Sequence, residues 1–148
     1  MEIKKIDFEN LDEALDLIWT TFLEYEAPDY SQEGIEEFKK SVFDKEWLLA
    51  REFYGAYQDN ILLGLIATKD KSHIALFFVD GKYHRRGIGK KLFEKVLEEN
   101  DKDYFTVNSS PYAKEVYEHL GFECNDNIQC VNGLKFYPMT MKIKKLTK

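Results

Sequence analysis

The sequence predicts a mixed α/β (α+β) fold: a largely antiparallel sheet that contains one parallel pair of strands. Three observations carry this. Residues 54–79 read as short apolar or alternating runs separated by turn residues, the pattern of consecutive antiparallel strands. Residues 73–107 then run strand, helix, strand, and a crossover of that length joins parallel neighbours in the right-handed sense. Near its end the chain turns back on itself at Asn132-Gly133, a strong hairpin signal. At 148 residues it is expected to form one domain, 1–148.

The elements follow in order. Met1–Phe8 reads as a first strand. In Leu11–Glu24 the residues Leu11, Ala14, Leu15, Ile18 and Phe22 share one helical face, with Asn10 placed to cap it. Pro28 ends that element, and Ser31 is placed to cap a second helix through Ile35, Phe38 and Val42. Tyr54–Tyr57 and Ile61–Thr68 bracket Asp59-Asn60 as a hairpin, and His73–Val79 adds a third antiparallel strand. A helix over Gly87–Asn100 and a strand over Tyr104–Val107 complete the crossover. Ser110, Pro111 and Gly121 punctuate one more helix as cap, first position and stop. Ile128–Val131 and Leu134–Met141 are the arms of the last hairpin.

Composition excludes several classes. No run of eighteen apolar residues occurs, so no membrane-spanning helix is expected. The start, Met1-Glu2-Ile3-Lys4-Lys5-Ile6, lacks the apolar core of a signal peptide, and a cytoplasmic location is expected. Cys124 and Cys130 have no further cysteine or histidine at metal-binding spacing, so they read as ordinary thiols in a reducing compartment, and no metal is expected. The net charge of −6 is unevenly spread: residues 1–80 carry 8 basic and 18 acidic side chains, residues 81–148 carry 13 and 9. Six cations and one anion lie between Lys82 and Lys95. A focused basic spot on an acidic protein suits a small polyanion, whereas a nucleic-acid binder needs a broad basic face.

That spot has a recognisable geometry. The apolar run Phe77-Phe78-Val79 stops at Asp80-Gly81, and the cationic turn His84-Arg85-Arg86-Gly87-Ile88-Gly89 leads into a helix whose apolar face is Ile88, Leu92, Phe93, Val96 and Leu97. A glycine-containing turn at a helix start gathers free N–H groups around an anion, and glycine allows close approach. A nucleoside-triphosphate P-loop does not fit, because His84 stands where its first glycine belongs and Lys91 where Ser or Thr belongs. The dinucleotide fingerprint does not fit either, because Leu92 replaces its third glycine.

The turn resembles the Gln/Arg-x-x-Gly-x-Gly/Ala signature of the GNAT superfamily of N-acetyltransferases, with His84 in place of the usual first residue and Gly81 where a proline is common. Tyr117-Glu118-His119-Leu120-Gly121-Phe122 resembles the superfamily's Tyr-Glu-basic-Leu-Gly-Phe ending, in matching order. The resemblance is strong over residues 73–122 and weak in the N-terminal helices. It implies a sheet of about seven strands flanked by about four helices, with the parallel pair splayed apart to hold acetyl-CoA as acyl donor. It also implies that the backbone of Phe77, Phe78 and Val79 binds the pantetheine arm and that the amides of Arg85, Arg86, Gly87, Ile88, Gly89 and Lys90 hold the pyrophosphate. Asn108 matches a position that bonds pantetheine, and Tyr117 is the expected proton donor to the leaving thiolate. Tyr117 also shares an apolar face with Ala113, Val116 and Leu120, which is compatible with plain core packing. Glu24, Glu26, His73 and Asp80 are candidates for the base. The implied acceptor is a primary amine of a small molecule or peptide. The implied assembly is a homodimer, for which Phe136 and Tyr137 offer a surface. The second functional reading is a non-catalytic acyl-CoA-binding module.

Overall fold

The computed structural model describes residues 1–143, apart from the side chain of Phe8. Its strands are β1 (Glu2–Lys5), β2 (Glu52–Gln58), β3 (Ile61–Lys69), β4 (His73–Val79), β5 (Tyr104–Ser109), β6 (Glu123–Cys124), β7 (Gln129–Val131) and β8 (Leu134–Lys142). Its α-helices are α1 (Leu11–Thr21), α2 (Gln32–Val42), α3 (Lys45–Leu49), α4 (Ile88–Glu99) and α5 (Lys114–Leu120). The sheet runs β1-β2-β3-β4-β5-β8-β6, with β7 also paired to β8. Among the described residues only β4 and β5 are parallel; every other pairing is antiparallel.

The predicted turns form for the predicted reasons. Asp59 and Asn60 sit at φ 52° and 65°, Asn132 and Gly133 at 52° and 80°, as a tight hairpin turn requires of both central residues. Ser31 caps α2 by accepting the Gly34 N–H at 3.3 Å. Gly121, at φ 109°, stops α5. At the ends of the expected elements three details differ from the sequence reading. Asn10 makes no side-chain cap, because a 3-10 turn over Phe8–Asn10 already leads into α1. The helix after β5 starts at Lys114 rather than Pro111, and Ser110 instead caps the turn before it through the Ala113 N–H at 3.2 Å. The first strand ends at Lys5.

Each face of the sheet has its own core. On one side Ala14, Ile18 and Phe22 meet Leu65, Ala67, Leu76 and Phe78, and Phe22 stacks on Phe38 with centroids 3.8 Å apart. On the other, the predicted face of α4 packs on Ile66, Ile74, Phe105 and Val107. A fully buried side chain of this size contributes roughly 1.5–3 kcal/mol.

One irregularity positions everything that follows. Thr68 pairs with Ile74 and Ala67 with Leu76, so Ala75 is an extra residue in β4. The alternation flips there: Ile74 joins the α4 core, Leu76 and Phe78 join the α1 core, and Phe77 and Val79 return to the α4 side. Pairing with β5 stops at Ile74↔Val107, one residue before this bulge. A bulge bends its strand and sharpens its twist, so β4 veers away from β5 from that point on.

A second contact matters for the site. Gly34 of α2 and Gly133 of the β7–β8 hairpin meet backbone to backbone, so that a Cβ on Gly34 would run into the Gly133 carbonyl.

Candidate active site

At the open end of the parted strands, α4 presents its N-terminus. Gly87 precedes it at φ 78° and supplies no side-chain cap. Lys91 is the first residue of the turn whose N–H finds a helical partner, the Gly87 carbonyl at 3.2 Å, which leaves Ile88, Gly89 and Lys90 facing outward. Nothing lies within 4 Å of where a Gly87 Cβ would stand, whereas at Gly89 it would touch the Phe77 ring at 3.4 Å. Arg85 is also left-handed, at φ 64°. His84 ties the loop to the strand it leaves: its Nε2 lies 2.8 Å from the Val79 carbonyl oxygen. The Arg86 guanidinium stands 5.5 Å from the Tyr83 ring centroid. A cavity of about 460 Å³ opens beside these residues and reaches Phe77 and Tyr117. Open space at Gly87, unclaimed amides and clustered cations fit a bulky anionic group with an arm directed between the strands.

The edge of β4 is divided. Phe78 pairs with Leu65, and the Asp80 N–H donates to the Leu63 carbonyl at 2.8 Å. By strand alternation the peptide groups of Phe77 and Val79 therefore turn to the gap, while that of Phe78 serves β3. Ile88 sends its side chain into the core, leaving only its backbone at the cavity. Asn108 is exposed and lines a second, larger groove, which Phe77, Phe78 and Tyr117 also border.

That groove, about 780 Å³, runs along β4 and β5 under α2 and the β7–β8 hairpin. The two cavities share five residues: Glu26, Phe77, Phe78, Ala113 and Tyr117. Tyr117 is buried, with its ring 6.0 Å from Phe77 and edge-on to Phe122 at 5.4 Å. Burial first, then the nearby Glu26 carboxylate, push its phenol above the ordinary tyrosine value, so it holds its proton.

Glu26 ends a five-residue π-helical segment, Phe22–Glu26, that follows α1. The wider turn shifts the helical register and delivers this carboxylate, rather than Glu24, to the gap; such segments recur at functional sites. Burial raises the Glu26 carboxyl to about 7 against a hydrogen bond from Ser110 that pulls it down, with Asp29 adding to the rise. The other candidate bases are placed otherwise. Glu24 is exposed. Asp80 accepts the Lys82 N–H at 3.0 Å as the cap of a 3-10 turn. His73 bonds Thr106 at 2.8 Å at the far end of β4, and burial followed by Lys69 and Arg51 lowers its pKa. Ser110, which the sequence marked only as a cap, is a partner of Glu26.

Among the described residues no group of acidic, histidine or cysteine side chains could hold a metal, and no helix is long and apolar enough to cross a membrane. Cys124 and Cys130 are free and exposed.

Residues 26–143 match the family model for an acetyltransferase (GNAT) domain. No curated protein matches the sequence significantly. Many solved structures share the fold. A GCN5-related N-acetyltransferase from Rhodopseudomonas palustris is 23% identical, with a TM-score of 0.78 over 96% of this chain and 95% of that one. The PaiA N-acetyltransferase from Thermoplasma acidophilum, solved with coenzyme A, is 22% identical, with a TM-score of 0.76 over 95% and 98%. An aminoglycoside 6′-N-acetyltransferase from Enterococcus faecium is 16% identical, with a TM-score of 0.66 over 100% of both chains. With the family model covering most of its length and the parted strands set at the head of α4, the chain belongs to the GNAT acetyltransferase family, enzymes that take an acetyl group from acetyl-CoA.

Proposed function

We propose that this enzyme transfers acetyl directly from acetyl-CoA to a primary amine of a small molecule or peptide, with the donor entering from the α4 side and the acceptor from the larger groove. One observation carries this: Glu26 and Tyr117 line both cavities, at the place where β4 and β5 have parted. Acetyl-CoA, when bound, supplies the thioester carbon that the amine attacks.

The amides of Ile88, Gly89 and Lys90 and the charges of Arg85 and Arg86 take the pyrophosphate, with the helix dipole assisting. Phe77 offers its peptide group and Val79 its N–H to the pantetheine arm, the Val79 carbonyl being held by His84, and an N–H at this edge polarises the thioester carbonyl. Phe78 contributes strand pairing and a wall rather than a gap-facing peptide. Asn108 meets the acceptor side. Glu26, half-ionised near neutral pH, accepts the proton that the amine nitrogen sheds as it forms the new C–N bond. Tyr117, held protonated, donates its O–H to the sulfur as the C–S bond breaks. Its raised pKa makes complete transfer to a thiol of pKa roughly 8.5 uphill, so stabilising the thiolate by a hydrogen bond is its main contribution. The free, exposed cysteines suit a reducing, cytoplasmic setting.

The test is thiol release from acetyl-CoA across a panel of primary amines, with product mass confirming one acetyl on nitrogen. Tight CoA binding with no turnover on any amine would reduce the protein to a binding module.

A further inference from the structure

The larger groove continues well past the point where an amine has to arrive, and its two ends differ in charge. Glu26 stands beside Tyr117 where the two cavities meet, and Glu37 and Lys135 are also on the groove wall. Around the start of β4 it is lined by Arg51, Lys69 and Lys102, offset by Asp70 alone, with Ser72 and His73 between them. From His73 to Phe77 the strand advances about 10 Å, three steps of roughly 3.3 Å, because the extra residue Ala75 adds no paired step opposite Lys69–Ile66.

Arg51 is the most informative member. Its guanidinium lies 3.7 Å from the Trp47 ring centroid, and Nη1 donates to the Trp47 carbonyl at 2.8 Å. Its Nε is buried with no hydrogen-bond partner, alone in this among the described side chains. A buried donor without an acceptor is costly and calls for an explanation. One Nη is therefore pinned while the other has no protein partner, and a carboxylate arriving in the groove would pair with the guanidinium charge through that Nη, reaching Nε only if the fork turns to uncover it. Lys102 is fixed close by, its Nζ donating to Ser72 Oγ at 3.3 Å.

We propose that the acceptor is an elongated zwitterion, whose amine meets Glu26 and Tyr117 while a carboxylate about 10 Å away is held by Arg51 and Lys102. The inference rests on the amine-acetylating function above and narrows its substrate class. A free amino acid is too short. An extended peptide of about three residues, advancing roughly 3.4 Å per residue, spans the groove with its two termini as the two charges.

The test measures kcat/KM on alanine peptides of two to six residues, each with a free and with an amidated C-terminus. Expected is a maximum at three or four residues and a loss of tenfold or more on amidation, carried by KM. Arg51→Gln and, separately, Lys102→Gln should each shrink the free-to-amidated ratio towards one while turnover of the amidated peptides stays unchanged. The two variants guard against a fold defect at either position. Equal rates on free and amidated peptides, or a ratio unmoved by both variants, overturns the zwitterion and leaves the acetyltransferase standing. No turnover on any amine, with CoA bound, overturns both.

Discussion

His84 Nε2 lies 2.8 Å from the carbonyl oxygen of Val79, so the first side chain of the cationic loop is fastened to the last residue of the strand before it. The bond spans five residues and sets where the amides that follow will point. His84→Ala should weaken CoA binding severalfold with little change in Tm, and His84→Gln, which keeps a donor of similar reach, should restore most of the affinity. Calorimetric titration with CoA checks both. Equal affinity in all three proteins would make the fastening irrelevant.

Gly87→Glu separates binding from folding. Nothing lies within 4 Å of the new Cβ, so the fold should survive at a cost of about 1–2 kcal/mol for a left-handed non-glycine residue. The carboxylate would fill the anion cradle, and CoA binding should fall below detection. Wild-type binding should also weaken as salt rises, since several charges converge on the ligand. Retained binding in the variant, or no response to salt, places the anion elsewhere.

Glu26 gives two linked pH expectations. As a base raised to about 7, it should make kcat/KM climb with pH through a midpoint near 7, and Glu26→Gln should lower the rate about a hundredfold and flatten that limb. Stability moves the opposite way. The folded carboxyl keeps its proton above the ordinary value of 4.5, so between pH 4.5 and about 7 the folded state binds more protons than the unfolded one and loses stability as pH rises. Glu26→Gln removes that loss, so its Tm advantage should grow across the same window. A Tm difference that does not vary with pH would refute the raised carboxyl.

Tyr117→Phe keeps the ring against Phe77 and Phe122 and deletes only the hydroxyl. Turnover should drop about 10–100-fold while CoA affinity holds within about twofold. Undiminished turnover returns Tyr117 to the core, where its packing alone would account for its burial.

Gly34→Ala opposes two effects of different size. Alanine in place of glycine normally helps a helix by up to about 1 kcal/mol. Here the added methyl would meet the Gly133 backbone, which cannot swing aside as a side chain could, and a net loss of about 1–3 kcal/mol is expected in urea unfolding. A stabilised variant would show that α2 and the hairpin are free to separate.

The parts legible in the sequence are those fixed by local chemistry. Gly87, the Asn132-Gly133 turn, the Ser31 cap and the Gly121 stop each need one residue type at one backbone position, and the face of α4 is written in its periodicity. What escaped depends on register. The extra residue at Ala75 leaves no trace in an unbroken apolar run, yet it sets which peptide groups, those of Phe77 and Val79 rather than that of Phe78, turn away from β3. The π-helical segment likewise decides between Glu24 and Glu26, two carboxylates that a plain helix reading ranks alike. Helix α3 was missed because Trp47, Leu48 and Leu49 form a cluster too short to show a period, although Asp44 caps it through the N–H groups of Glu46 and Trp47. Arg51 drew no notice, since its value lies in an unanswered donor that only packing creates.

The touching glycines of α2 and the β7–β8 hairpin fasten together two of the elements that wall the larger groove. A seam of main chain against main chain has no side chain to swing aside, so the spacing between those walls is set by the backbone and stays the same whatever molecule enters.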